Sequence, residues 1–217
     1  MSPTIPNAVL FDCDGVLVDS EPIADKVLVA DLASYGLILG PDQVTEMFTG
    51  GTLKGVEQSA RKMGADLPAD WLDGIYEKTF AKLRAGTPLI GGVGDLLDTL
   101  DATAIPYAVG SNGPMDKMRI TLGQHDLWDR FGGHIYSSHV HGAAKPAPDL
   151  YQLAARSLGQ QPEDCVVIDD SVAGCRAGVA AGCRTLGFAE TADPESLAAV
   201  GAEPIASMAE VRALLGL

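Results

Sequence analysis

From Gly86 onward the chain alternates short apolar runs with stretches patterned for helices, and that rhythm selects a parallel sheet wrapped by helices. Tyr107-Ala108-Val109, Cys165-Val166-Val167-Ile168 and Thr185 to Phe188 each read as a buried strand, and Val9-Leu10-Phe11 supplies another near the N-terminus. Between them, Leu96, Leu97 and Leu100 mark one helix. Leu150, Leu153, Ala154 and Leu158 mark a second, stopped by Gly159, and a third runs from a Ser171 cap to Gly182. Ser207 with Glu210 three residues on forms a capping-box pattern before Val211, Leu214 and Leu215. The expected fold is α/β, a doubly wound parallel-sheet core.

One segment breaks the alternation. Between residues 17 and 85 only helical patterns occur: Ile23, Val27 and Ala30 after Glu21-Pro22; Val44, Met47 and Phe48; Val56 to Met63; and the stripe Leu72, Ile75, Tyr76, Thr79, Phe80 and Leu83. The expected organisation is therefore a core of residues 1–16 and 86–217, with an α-helical domain of residues 17–85 inserted after the first strand. Ligands of open α/β sheets bind beyond the carboxyl ends of the strands, so an insertion leaving from there can cover the pocket.

The first strand runs into Asp12-Cys13-Asp14-Gly15. On an extended chain Asp12 and Asp14 project to one side and Cys13 to the other. A second acidic pair, Asp169-Asp170, follows Cys165 to Ile168, so parallel strands would bring four carboxylates together. Like charges about 4 Å apart repel by roughly 4 kcal/mol at an effective dielectric of about 20, which calls for a cation or altered protonation. An all-oxygen acidic site suits magnesium.

The chain's 217 residues, 47% of them hydrophobic, suffice for a proper core. Acidic residues number 29 against 15 Lys plus Arg, and the resulting formal charge of -14 opposes attraction to nucleic acid or anionic lipid. An anionic substrate must be held by local positive groups. Cys13, Cys165, Cys175 and Cys183 lack metal-site spacing and read as reduced core thiols of a cytoplasmic protein. No apolar run approaches the ~20 residues of a membrane helix, and Met1-Ser2-Pro3-Thr4 does not open a signal peptide. A soluble monomer with no nucleic-acid or membrane partner is expected.

Four segments in order, Asp12-Cys13-Asp14-Gly15, Val109-Gly110-Ser111-Asn112-Gly113, Lys145-Pro146 and Asp169-Asp170-Ser171, resemble the haloacid dehalogenase superfamily, in its capped phosphatase and phosphomutase branch. The resemblance implies that Asp12 is a nucleophile taking a phosphoryl group, and that Asp14 protonates the leaving oxygen and then activates water. It implies Mg2+ held by the Asp12 carboxylate, the Asp14 backbone carbonyl and Asp170, with Asp169 as an additional ligand or outer partner. Ser111 and Lys145 would bind phosphoryl oxygens, with Asn112 alongside. The electrostatics agree: a carboxylate approaches an anionic phosphate only where cations neutralise it.

Asp14 occupies a place that carbon–halogen-cleaving and ion-pumping members leave without aspartate, so phosphate-ester chemistry is expected. The words Phe11-Asp12-Cys13-Asp14-Gly15, Ser111-Asn112-Gly113-Pro114 with Lys117-Met118, and Asp169-Asp170-Ser171-Val172-Ala173-Gly174 look most like bacterial sugar-phosphate phosphatases of the 6-phosphogluconate type. The expected substrate is a small phosphorylated metabolite. A β-phosphoglucomutase-like enzyme is the alternative. There, basic residues flank a glycine in the cap loop, where this chain has Phe48-Thr49-Gly50-Gly51-Thr52-Leu53-Lys54, with Lys54 as a possible substitute in substrate binding. A phosphate-accepting signalling module would need neither Asp14 nor the insertion. His139 and His141 alternate before Lys145 but lack a third ligand for a metal site.

Overall fold

Val9-Leu10-Phe11 lies in strand β1 (Ala8–Phe11), whose four residues are all buried. We describe residues 5–40, 43–44 and 52–217 of a computed structural model. The chain divides into two compact units, Met1–Asp19 with Pro88–Leu217, and Ser20–Thr87.

In the first unit, β2 (Tyr107–Ser111), β3 (Ile135–Ser137), β4 (Cys165–Asp169), β5 (Arg184–Phe188) and β6 (Glu203–Ile205) join β1 in one parallel sheet of order β3-β2-β1-β4-β5-β6. The order reverses between β1 and β4, which makes the carboxyl ends of those two strands the topological switch point. Their register sets Phe11 opposite Ile168, and the Asp12 backbone N–H continues the ladder to the Ile168 carbonyl at 2.9 Å.

Side chains alternate across the sheet. Val9, Phe11, Val109 and Ile168 pack on one face, while Ala8, Leu10, Ala108 and Val167 pack on the other, so the central strands are dry on both sides. Phe11 meets Tyr107 and Phe131 edge to face, with ring centroids 6.5 and 6.3 Å away. Such pairs add about 0.5–1.5 kcal/mol each beyond burial. The two edge strands escaped the sequence pattern because each has three residues, and β6 carries Pro204, which an edge strand tolerates.

The unit of Ser20–Thr87 contains α1 (Glu21–Ser34), α2 (Leu53–Lys62) and α3 (Trp71–Arg84) among its described residues. They bury Leu28, Leu32, Val56, Ala60, Trp71 and Ile75 around a common core. Trp71, outside the expected stripe, is its anchor: its Nε1 donates to the buried Asp31 carboxylate at 2.6 Å, and Lys78 pairs with the same group. Val44 is buried as its pattern required, whereas Met47 and Phe48 lie outside the described residues.

The core helices are α4 (Val93–Ala102), α5 (Met115–Gly123), α6 (Leu127–Arg130), α7 (Ser138–His141), α8 (Asp149–Ser157), α9 (Val172–Ala181), α10 (Pro194–Ala199) and α11 (Met208–Leu215). Ser171 Oγ caps α9 by accepting from Gly174 N at 2.9 Å. The α11 box is modified: Ser207 Oγ accepts from Glu210 N, but Glu210 Oε2 reaches the N–H of Ala206 rather than of Ser207. The turn α7 also changes the reading of the histidines. In a helix, residues two apart point in different directions, and His141 Nδ1 lies 3.0 Å from the Ser137 carbonyl oxygen. All four cysteines are free and buried. Among the described residues no helix is long and apolar enough to cross a membrane.

Candidate active site

Where β1 ends, the chain turns sharply through Asp12 to Gly15. Gly15 has φ of +76°, and a Cβ there would fall 2.0 Å from Asp170 Oδ2. Only glycine satisfies both the left-handed backbone and that close approach. Asp12, Asp169 and Asp170 each offer a carboxylate oxygen, all within 4.8 Å of one another. Among the described residues this is the group of acidic, His or Cys side chains that could hold a metal, and it includes neither His139 nor His141. The expected four-carboxylate cluster is thus three: Asp14 Oδ1 instead pairs with Lys117 Nζ at 2.9 Å.

Lys145 sits at the centre. Its Nζ lies 2.8 Å from Asp12 Oδ1 and 2.8 Å from Asp169 Oδ2, and its side chain is only 3% exposed. Burial works to lower its proton affinity, but the Asp12 and Asp169 carboxylates overcome that and hold it charged. Burial pushes Asp12 up to about 7; Lys145 opposes this, and the charges of Asp169 and Asp14 add to it. Asp12 Oδ1 is close to the ammonium but has no aligned hydrogen-bond donor. That buried oxygen has charge compensation and an open coordination direction, as a ligand of a hard cation would.

Asp169 is differently placed. Oδ1 accepts from Ser171 N and Oγ, both at 2.9 Å, and Oδ2 accepts from Lys145 Nζ at 2.8 Å and Tyr151 Oη at 2.5 Å. Those four bonds fill the accepting capacity of a carboxylate. Tyr151 also lays its ring face 4.7 Å from Lys145 Nζ.

The Lys145 backbone is fixed by Asn112, whose Oδ1 accepts from Lys145 N at 2.8 Å and whose Nδ2 donates to Lys145 O at 3.3 Å. Asn112, expected beside the phosphoryl oxygens, is thus also a clamp on the lysine backbone. Ser111, at the end of β2, is buried, and its Oγ accepts from Gly113 N at 2.9 Å, leaving the hydroxyl proton to donate. Lys54 belongs to the helical unit, exposed in the first turn of α2 after the Thr52 cap; Leu53 beside it packs on the helical core, and Thr49 lies outside the described residues.

Sequence reasoning missed Tyr151 as a site residue because it falls within an apolar helix stripe. The available signal was its hydroxyl, which needs a partner when buried. Lys117 stood in a recognised word, yet its pairing with Asp14 had no sequence signal.

A parallel sheet with a carboxylate–lysine centre at its switch point defines a doubly wound α/β enzyme. The chain matches the haloacid dehalogenase-like hydrolase family over residues 6–182, and it belongs to that family. It is 34% identical over 191 residues to 6-phosphogluconate phosphatase of Escherichia coli K12, covering 87% of this chain and 84% of that protein. Hexitol phosphatase A of the same organism is 31% identical over 194 residues, covering 87% and 85%. Among solved structures, a haloacid dehalogenase family hydrolase from Deinococcus radiodurans with bound phosphate and sodium is 38% identical. It has a TM-score of 0.83 and covers 100% of this chain and 96% of that one.

Proposed function

We propose that this hydrolase is a Mg2+-dependent phosphatase acting on a small phosphate monoester, a sugar or sugar-acid phosphate, through a phosphorylated Asp12. The observation that carries the reading is the Asp12 carboxylate held 2.8 Å from a buried ammonium at the switch point of the sheet. The two phosphatase relatives support the substrate class. The helical unit is proposed to act as the cap domain, since the chain enters it directly after the loop of Asp12 and Asp14.

The donor set fits the metal: Asp12 and Asp170, with the Asp14 carbonyl, are oxygen ligands suited to Mg2+. Bound there, the cation would neutralise the phosphoryl oxygens against the nucleophile. Asp169, saturated by hydrogen bonds, serves as an outer partner that orients Lys145. In the first half-reaction an Asp12 oxygen bonds to phosphorus as the ester P–O bond breaks, and Asp14 gives its proton to the departing alkoxide oxygen. In the second, Asp14 takes a proton from water; the water oxygen bonds to phosphorus and the Asp12–phosphorus bond breaks, releasing phosphate. Lys145 and the Ser111 hydroxyl hold the phosphoryl oxygens throughout.

Phosphate release, screened over sugar phosphates, sugar-acid phosphates, nucleotides and bisphosphates with Mg2+, tests this reading. Turnover concentrated on hexose or sugar-acid phosphates supports it, and absence of turnover on every monoester overturns it. Exposed Lys54 keeps a phosphomutase as the second reading. Phosphorus NMR of β-glucose 1-phosphate with a bisphosphate activator separates the two, because a mutase forms glucose 6-phosphate faster than free phosphate.

A further inference from the structure

The two carboxyl oxygens of Asp14 have different neighbours. Lys117, in the first turn of α5, places Nζ 2.9 Å from Asp14 Oδ1, and both side chains are 16% exposed. A Cβ on Gly113 would lie 3.2 Å from Asp14 Oδ2 and 3.8 Å from Lys117 Cδ, so glycine leaves room for both side chains at this place. Gly113 is itself fixed by Ser111 Oγ, which accepts its N–H, and by Ser137 Oγ, which donates to its carbonyl at 2.6 Å. The two carboxyl oxygens are therefore not equivalent.

We propose that Lys117 is a positioning residue that anchors Asp14 through Oδ1, so that Oδ2, on the Gly113 side, is the atom that carries the transferred proton. An ammonium donates to a carboxylate oxygen and, more weakly, to the carbonyl oxygen of the protonated acid, so the anchor persists through both halves of the reaction. As the ester P–O bond breaks and the Asp12–phosphorus bond forms, the Oδ2 proton passes to the leaving oxygen. In the second half Oδ2 takes a proton from the attacking water. Lys117 neither gains nor loses a proton. The inference rests on the reading of Asp14 as proton carrier and adds which oxygen acts and what aims it.

The experiment compares kcat/KM for phenyl phosphate, whose leaving group needs a proton, with that for p-nitrophenyl phosphate, whose leaving group needs little. This parameter covers the steps up to departure of the phenol. The proteins are wild type, Lys117→Met, Lys117→Gln, Lys117→Arg and Asp14→Asn, each checked for folding by thermal unfolding. General acid assistance is worth about 10²- to 10⁴-fold, so misaiming it should cost phenyl phosphate about 10- to 100-fold and p-nitrophenyl phosphate less than about threefold. Both Met and Gln variants should show this split, and Arg should recover most of the loss. Equal loss on both substrates in the Lys117 variants, with Asp14→Asn still selective, overturns the positioning role alone. Equal loss in Asp14→Asn removes Asp14 as proton carrier, and the inference with it.

Discussion

Tyr151→Phe deletes one oxygen from the centre of the site and little else. The ring is fully buried, and phenylalanine keeps its place in the cluster with Leu10, Ala108 and Val167 and the face presented to Lys145. What disappears is the bond to Asp169 Oδ2, leaving that oxygen with Lys145 as its remaining partner. A hydrogen bond to a charged group contributes about 1.5–3 kcal/mol net. For a chain of this size each kcal/mol moves Tm by about 2–4 °C, so the variant should unfold roughly 3–12 °C below wild type. Circular dichroism melts in matched, metal-free buffer measure this directly. The two-unit organisation makes a probe in the core necessary, and the near-ultraviolet signal of buried Tyr107, present in both proteins, provides one. A shift under 1 °C would refute the argument that Tyr151 supports a charged Asp169. A fall in Tm without any change in phosphate release would confine the residue to stability.

Lys145→Met should be destabilised by about 3–5 kcal/mol at pH 8, the cost of leaving buried carboxylates without their partner. Asp12 already sits at about 7 against an ordinary 3.8, and losing the opposing pull of Lys145 raises it further. A carboxyl raised in the folded state favours folding below its unfolded value and loses that advantage as pH climbs toward its folded value. The gap to wild type, from urea melts, should therefore narrow from pH 8 to pH 5; a gap that widens on acidification contradicts the assignment. Mg2+ should raise the Tm of wild type, by linkage worth about 2.7 kcal/mol at one hundred times Kd, and leave Asp170→Ala nearly unmoved in a thermal-shift titration. An equal shift in the variant would remove Asp170 from the metal set. The thiols are held protonated, Cys165 at about 11 and Cys183 at about 12, mainly by burial, with Cys13 and Cys175 pushed up as well. Ellman's reagent at pH 8 should label all four cysteines only after denaturation, and rapid labelling of the native protein would refute their burial.

The strands that built the expected fold were legible because Val9-Leu10-Phe11 and Cys165 to Ile168 are buried on both faces and leave no polar interruption. Glu203-Pro204-Ile205 was not, because an edge strand is specified by its neighbour more than by its own composition. At the site, residue types carried Asp12, Lys145 and the Asp169-Asp170 pair, since clustered acids at strand ends demand a cation. Partner choice was beyond reach. Nothing in Ser111-Asn112-Gly113 says that the Asn112 amide turns onto the Lys145 backbone, because that depends on two loops meeting beyond β2. Tyr151 and Lys117 likewise acquire roles only when α8 and α5 bring them against Asp169 and Asp14.

If Asp12 takes the phosphoryl group, as proposed, the phosphorylated protein can be trapped. Asp14→Asn, mixed with p-nitrophenyl phosphate and Mg2+ and quenched in acid within a turnover, should accumulate protein carrying one phosphoryl group, because the base for its hydrolysis is missing. Peptide mapping should place that group on Asp12, and the Asp12→Asn protein should carry none. A phosphoryl group on any other residue, or substantial turnover by Asp12→Asn, would contradict the claim.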